Sequence, residues 1–170
     1  MSLQSSLPTR EAFLDREMRA WKALAATWCK LDEAALLHAG ANDVWSFKDV
    51  MNHIAAWQEA ALVQIAKLQR GEFASLGMSV ERFNAAQHEA DRDQSVTQSR
   101  RRLNASRRAL LAVLERVDEK SLLNEFGRQS AGWWAKWTTY GHYEQHIDAL
   151  AQFRVKIKAD TATDFTDDTD

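Results

Sequence analysis

Apolar residues recur at alternating steps of three and four along four separate stretches of this chain, and only one proline and six glycines punctuate its 170 residues. That spacing puts each apolar set on one side of an α-helix. The scarcity of breakers lets those helices run long. No alternating strand pattern, glycine-rich phosphate loop or internal repeat competes with this reading. The expected fold is all-α: a four-helix bundle with a long crossover between its second and third helices.

The first predicted helix covers residues 10–31, with Thr9 as N-cap and Leu14, Met18, Trp21, Ala25 and Trp28 facing inward. The second opens at Ser46, where Asp49 three residues on completes a capping box. Its stripe is Phe47, Val50, Ile54, Trp57 and Ala61, and Gly71 marks its end. The crossover follows over residues 71–94, with a short helix expected over 80–89. Ser95 and Gln98 cap the third helix, whose stripe is Leu103, Ser106, Leu110, Val113 and Val117. A loop over 118–131 leads to the fourth helix, 133–155, with Ala135, Thr139, His142, His146, Ala149 and Phe153 facing the core. Residues 1–157 are thus expected to form the bundle and 158–170 an acidic, disordered tail.

His142 and His146 stand four residues apart on the inward stripe of the fourth helix, where a soluble protein ordinarily places Leu or Val. A buried neutral imidazole without a partner costs about 2 kcal/mol or more. His53 borders the second helix's stripe, three residues after Val50 and four before Trp57. A divalent ion held by His53, His142 and His146 would satisfy all three rings. Three neutral nitrogens with open positions suit Zn, Ni, Cu or Fe, with Zn or Ni as the leading expectation. Satisfied or solvent-facing histidines are the plain alternative. The pattern is not HExxH: Tyr143 follows His142, and Glu144 lies roughly 200° around the helix.

Acid–base candidates are Asp49, one turn before His53, and Tyr143 at the site's edge. A capping role for Asp49 and a packed, hydrogen-bonded Tyr143 are the alternatives. Trp57, Trp134 and Trp137 are candidate walls of an apolar pocket, although core packing alone explains most of them. His88 has three readings: fourth ligand, pocket cover or solvated loop residue. His38 reads as incidental.

The net charge of −2 includes Asp160, Asp164, Asp167, Asp168 and Asp170 near the C-terminus, so the remainder is mildly basic. Arg100, Arg101, Arg102, Arg107 and Arg108 form a basic stretch on the third helix. It reads as a solvated face, and nucleic acid is not an expected partner, because no aromatics interleave with it and the total charge is not basic. A lone Cys29 allows no internal disulfide and reads as a small helix residue. No leader pattern or membrane-length apolar run occurs, which makes cytoplasmic the expected location.

With these residues in view, WSFKDVMNHIAAW resembles the second-helix signature of the DinB-like superfamily, and GHYEQHIDAL resembles its fourth-helix HxxxH. The resemblance covers residues 9–153 and includes the long crossover. ERFNAAQ, SVTQSRRRLNASRRALLAVLE and HYEQH look most like the ClbS/DfsB-type branch, although members of that branch need not carry the second-helix histidine. Resemblance to that branch implies protection against DNA-damaging natural products by hydrolytic opening of a strained ring. Resemblance to the metal-bearing relatives implies a thiol-dependent transferase or isomerase, with His53, His142 and His146 holding the ion and a low-molecular-weight thiol as co-substrate. Homodimerisation and a small electrophilic substrate are further expectations of the resemblance. A protective protein that binds an apolar toxin without catalysis is the rival reading.

Overall fold

The structure, a computed structural model, describes residues 8–41 and 44–163. Its helices are α1 (Arg10–Trp28), α2 (Glu33–Leu37), α3 (Phe47–Gln69), α4 (Val80–Ala90), α5 (Val96–Leu114), α6 (Glu119–Leu123), α7 (Ala131–Thr138) and α8 (Tyr140–Thr163), with no β-strand among the described residues. α3 runs against α5, α1 against α8, and α7 packs on α3. The all-α bundle with its long crossover is therefore the architecture of the chain.

Local hydrogen bonding sets the helix starts. Thr9 accepts from the Ala12 amide to open α1. Ser46 with Asp49, and Ser95 with Gln98, each make both bonds of a capping box at α3 and α5. α3 is the central helix: Phe47, Val50, Met51, Ile54, Ala55, Ala61 and Ile65 are all buried in one core with Leu103, Leu110 and Leu114 of α5. The crossover contains α4, one residue longer than the expected 80–89.

Three expectations need correction. The buried side of α1 is Phe13, Glu17, Ala20, Leu24 and Thr27, with Trp28 beside them, while Met18 of the expected stripe is exposed. The helix is turned by about one residue because Glu17 is drawn inward to Arg107 of α5, which donates to it at 2.8 and 2.6 Å. The expected fourth helix is two helices. Thr139 (φ −121°, ψ −121°) separates α7 from α8, and the Thr138 and Thr139 hydroxyls donate back to the carbonyls of Trp134 and Ala135 at 2.7 and 2.6 Å. Ala149, expected inside, is exposed, and Leu150, Phe153 and Ile157 are buried instead. The helix α8 is described as far as Thr163, and residues 164–170 of the expected tail lie outside the described residues.

A buried polar chain crosses the bundle and takes a residue from each of its four long helices. Ser106 donates to Gln58 Oε1 at 2.6 Å, Gln58 donates to the Tyr143 hydroxyl at 2.7 Å, and that hydroxyl donates to Glu17 Oε1 at 3.3 Å. Arg107 closes it on Glu17 and lies over the Trp21 ring, 4.6 Å from its centroid. Since polar groups in a low-dielectric interior must be paired, this chain fixes how α8 is rotated. Tyr143 faces the network, and the adjacent His142 is thereby turned the other way.

Candidate metal centre

α3 supplies His53 and α8 supplies His142 and His146, and the three rings meet. Their centroids are 4.8 Å apart for His53–His142, 4.9 Å for His142–His146 and 5.3 Å for His53–His146. His142 Nε2 lies 2.9 Å from His53 Nε2 and 3.1 Å from His146 Nε2. The three available nitrogens are all within 4.8 Å of one another. Among the described residues this is the one cluster of three such side chains close enough to share an ion.

Burial, reinforced by neighbouring imidazoles, holds these rings neutral. Desolvation and then His146 lower His53 to about 3. Desolvation lowers His146 to about 4. His142 lies well below the usual histidine range, first through burial and then through His53 and His146. Neutral rings keep their lone pairs available, which is the state a metal ligand requires.

The hydrogen-bond count tests whether a cation fits. A ring nitrogen carries either one hydrogen or one in-plane lone pair. His142 Nε2 can therefore make one good bond, yet it faces two other Nε2 atoms at contact distance. Even in the best proton arrangement, the single hydrogen or single lone pair on His142 Nε2 must be shared between both partners, so the two contacts cannot both be well-formed hydrogen bonds. A cation accepting all three lone pairs removes the conflict. Zn–N bonds of about 2.0–2.1 Å place ligand nitrogens about 3–4 Å from one another. The two His142 contacts already approach that spacing, and the His53–His146 pair, within 4.8 Å, is near it. One feature departs from common metal centres: His142 Nδ1 is buried and has no hydrogen-bond partner.

The histidines form the floor of an open cavity of about 470 Å³. Trp45, Trp57, Trp133, Trp137 and Val80 supply its apolar surface, and Asn84, Arg128 and Gln145 its polar edge. Trp57 donates its indole N–H to Asn84 Oδ1 at 3.0 Å, tying α4 down beside the site. Trp45 packs on His53, ring centroids 4.9 Å apart, and stacks on His88 at 5.5 Å.

The structure brings five of the eight expected site residues together: the three histidines, Trp57 and Trp137. The others lie elsewhere. Trp134 is only 2% exposed and does not line the cavity; its indole N–H donates to the Arg128 carbonyl at 2.8 Å. The break at Thr139 explains this, because α7 no longer continues the face of α8. Tyr143 is fully buried, and burial with the Glu17 carboxylate nearby pushes its hydroxyl far above the ordinary tyrosine value. Asp49 accepts the capping bonds from Ser46 at 2.9 and 2.7 Å and faces Lys48 and His88 at 3.8 and 3.9 Å. Neither Asp49 nor Tyr143 reaches the cavity. His88 is not a fourth ligand in this arrangement but supports Trp45, while His38 is exposed beside Phe153.

Sequence reasoning passed over Trp45, Trp133, Val80, Asn84, Arg128 and Gln145. Trp45 and Trp133 carried a signal, since each adjoins a helix start next to a histidine-bearing segment. Arg128 sits in a loop without periodicity and gave none. The basic stretch is also clarified. Arg107 is held by Glu17, and Arg102 donates to Glu59 at 2.9 and 2.7 Å and to Asp91 at 2.6 Å.

No helix among the described residues is long and apolar enough to cross a membrane. A search of curated proteins finds no match. Several solved structures share the fold. The colibactin self-resistance protein ClbS, solved in complex with double-stranded DNA, is 14% identical, with 88% of this chain and 98% of that one aligned at a TM-score of 0.74. An uncharacterised protein from Escherichia coli UTI89 is 11% identical over 90% of this chain and 97% of that one, with a TM-score of 0.77. DfsB, described as a sibling lethal factor precursor, is 14% identical over 94% and 98%, with a TM-score of 0.65. The sequence itself matches the DinB superfamily over residues 18–150, and the chain belongs to that superfamily.

Proposed function

We propose that the chain is a metal-dependent enzyme in which His53, His142 and His146 hold one divalent ion, Zn or Ni foremost, and a small electrophile is attacked in the cavity above. The observation that carries this reading is the convergence of three neutral imidazole nitrogens on the floor of an open pocket. A bound divalent ion would acidify a thiol or a water molecule, supplying a nucleophile at neutral pH. The histidines present their lone pairs. Trp45, Trp57, Trp133 and Trp137 shed water around an apolar substrate and hold it over the floor.

Asp49 and Tyr143 receive no proton-transfer role, because the capping box and the buried network already occupy them. The nucleophile's proton therefore leaves through solvent or with the product. Nor is the DNA bound by ClbS carried over, since Arg102 and Arg107 are spent on internal carboxylates. A homodimer stays part of the proposal; sedimentation at the 19.4 kDa of one chain removes it.

The test begins with chelator-treated protein, freed of any affinity tag and titrated with Zn²⁺ and Ni²⁺. One ion per chain is expected, lost in the His142→Ala/His146→Ala double variant. Stoichiometric metal in that variant overturns the reading. Turnover of a low-molecular-weight thiol with an aryl halide should follow the metal content.

One observation favours a second reading. Among the described residues, no Asp, Glu, Tyr, Ser or Cys lines the cavity. A site whose only bases are the proposed metal ligands also suits a protein that sequesters an apolar toxin around a structural ion. Saturable one-to-one binding with no product identifies that case.

A further inference from the structure

Among the described residues, Arg128 is the only charged side chain lining the cavity, and it is a cation. Among the described residues no carboxylate forms an ion pair with it, although Glu125 is three residues away. Glu125 is already engaged: Lys136 pairs with it at 2.8 Å, and the Tyr140 hydroxyl donates to it. The Arg128 guanidinium instead lies over Trp133, 5.4 Å from the ring centroid. Stacking of this kind satisfies the face of the guanidinium and leaves its edge N–H groups free to bind.

The backbone beneath it is fixed. The buried Trp134 indole donates to the Arg128 carbonyl at 2.8 Å. Two residues on, Ser130 caps α7 and donates to the carbonyls of Phe126 and Gly127 at 3.2 and 2.9 Å. Gly127 takes φ 75°, which closes the turn. The arginine thus projects from a braced loop, and little ordering remains to be done when a ligand arrives.

The rest of the polar edge is Asn84 and Gln145, whose side-chain amides can both donate. Asn84 Oδ1 is committed to the Trp57 N–H, so the amide NH₂ is its free group. The floor consists of imidazoles and the walls of indoles. With one arginine that no carboxylate pairs, amide donors at its edge and no acid among the described lining residues, the pocket favours an anion over a cation.

From this arrangement we propose that the cavity selects ligands with a flat apolar body and one anionic group, a carboxylate being the simplest, with Arg128 as the residue that recognises the charge. The indoles hold the body, and the bidentate guanidinium edge meets the carboxylate. This deepens the proposed function by naming a substrate class, and it rests on that reading only in taking this cavity as the binding site.

Calorimetric titration with 2-naphthoate and its neutral counterpart 2-naphthamide tests it, using chelator-treated and zinc-loaded full-length protein in parallel. The metal-free arm matters because a carboxylate also binds a metal. In both arms naphthoate should bind more tightly than naphthamide. Arg128→Gln should weaken naphthoate about tenfold or more and leave naphthamide unchanged, with Arg128→Lys in between. Equal binding of the two probes by the wild type, equal loss of both in Arg128→Gln, an unaffected naphthoate affinity, or no binding of either overturns the inference. Metal stoichiometry is read on the same samples. Charge discrimination without metal binding removes the proposed enzyme and leaves this inference standing; metal binding without discrimination does the reverse.

Discussion

Glu17 and Arg107 meet inside the bundle at 2.6 Å although α1 and α5 lie far apart in the chain. The Glu17 side chain is 1% exposed and that of Arg107 18%. The pair also takes in the Tyr143 hydroxyl, through which it governs the facing of α8 and hence the aim of His142. Replacing such a pair with apolar residues can be neutral, but removing one partner strands a charge. Arg107→Ala should therefore cost about 3–5 kcal/mol in denaturant unfolding. Glu17→Gln, which keeps hydrogen bonding without the charge, should cost less. Equal and small losses for both would mean that the network does not set the bundle.

The same pair shows why α1 was misread. Hydropathy turns Glu outward, which favours the stripe through Leu14 and Met18. Only a partner 90 residues away reverses that preference. By contrast, both capping boxes were legible, because Ser46–Asp49 and Ser95–Gln98 bond within four consecutive residues. The histidine cluster was legible for a related reason: i, i+4 spacing fixes two rings on one face, and burial on the seam demanded a partner. The break at Thr139 was not legible, for two threonines give no breaker signal of proline's strength. Its loss misplaced Trp134. Arg128 shows the limit most plainly, since a loop residue has no period and its position depends on tertiary contacts.

Stability of the metal-free protein should depend on pH through the three buried rings. Their folded values lie below the ordinary 6.5, at about 3 for His53 and about 4 for His146. Below about pH 6.5 the unfolded chain takes up protons that the folded chain refuses, so acid favours unfolding. The stabilisation is fully present above that value and is lost as pH falls toward the folded values. Each imidazole contributes at most about 1.4 kcal/mol per pH unit. Unfolding midpoints measured at about pH 7.5 and about pH 5.5 should drop clearly, and less so in His142→Leu. Identical slopes for wild type and variant would count against neutral burial of these rings.

Gly132 marks a close approach at the start of α7. A Cβ there would lie inside contact distance of the Leu122 and Asn124 carbonyl oxygens, which are backbone atoms and cannot swing aside. Gly132→Ala should thus cost about 1–3 kcal/mol. Because α7 carries Trp133 and Trp137, the variant should also weaken naphthoate binding. A fully stable variant with unchanged binding would show that α7 shifts freely.

Arg102 bears on the site without touching it. It clamps Glu59 of α3 and Asp91 at the end of α4, and these two carboxylates raise its already high pKa further. The clamp holds the crossover against the bundle, and α4 in turn places Asn84 against Trp57. Arg102→Leu leaves Asp91, whose side chain is 9% exposed, without its partner, so the C-terminal end of α4 should loosen first. Hydrogen exchange is expected to speed up across 80–91 while the α1–α8 pair keeps its protection. Metal stoichiometry should stay at one ion per chain, because no histidine of the cluster depends on α4 for its position. Ligand affinity should fall, because one wall of the cavity would be undocked. If exchange instead rises evenly over the whole chain, Arg102 is a global stabiliser and the crossover is not a separately held cover of the site.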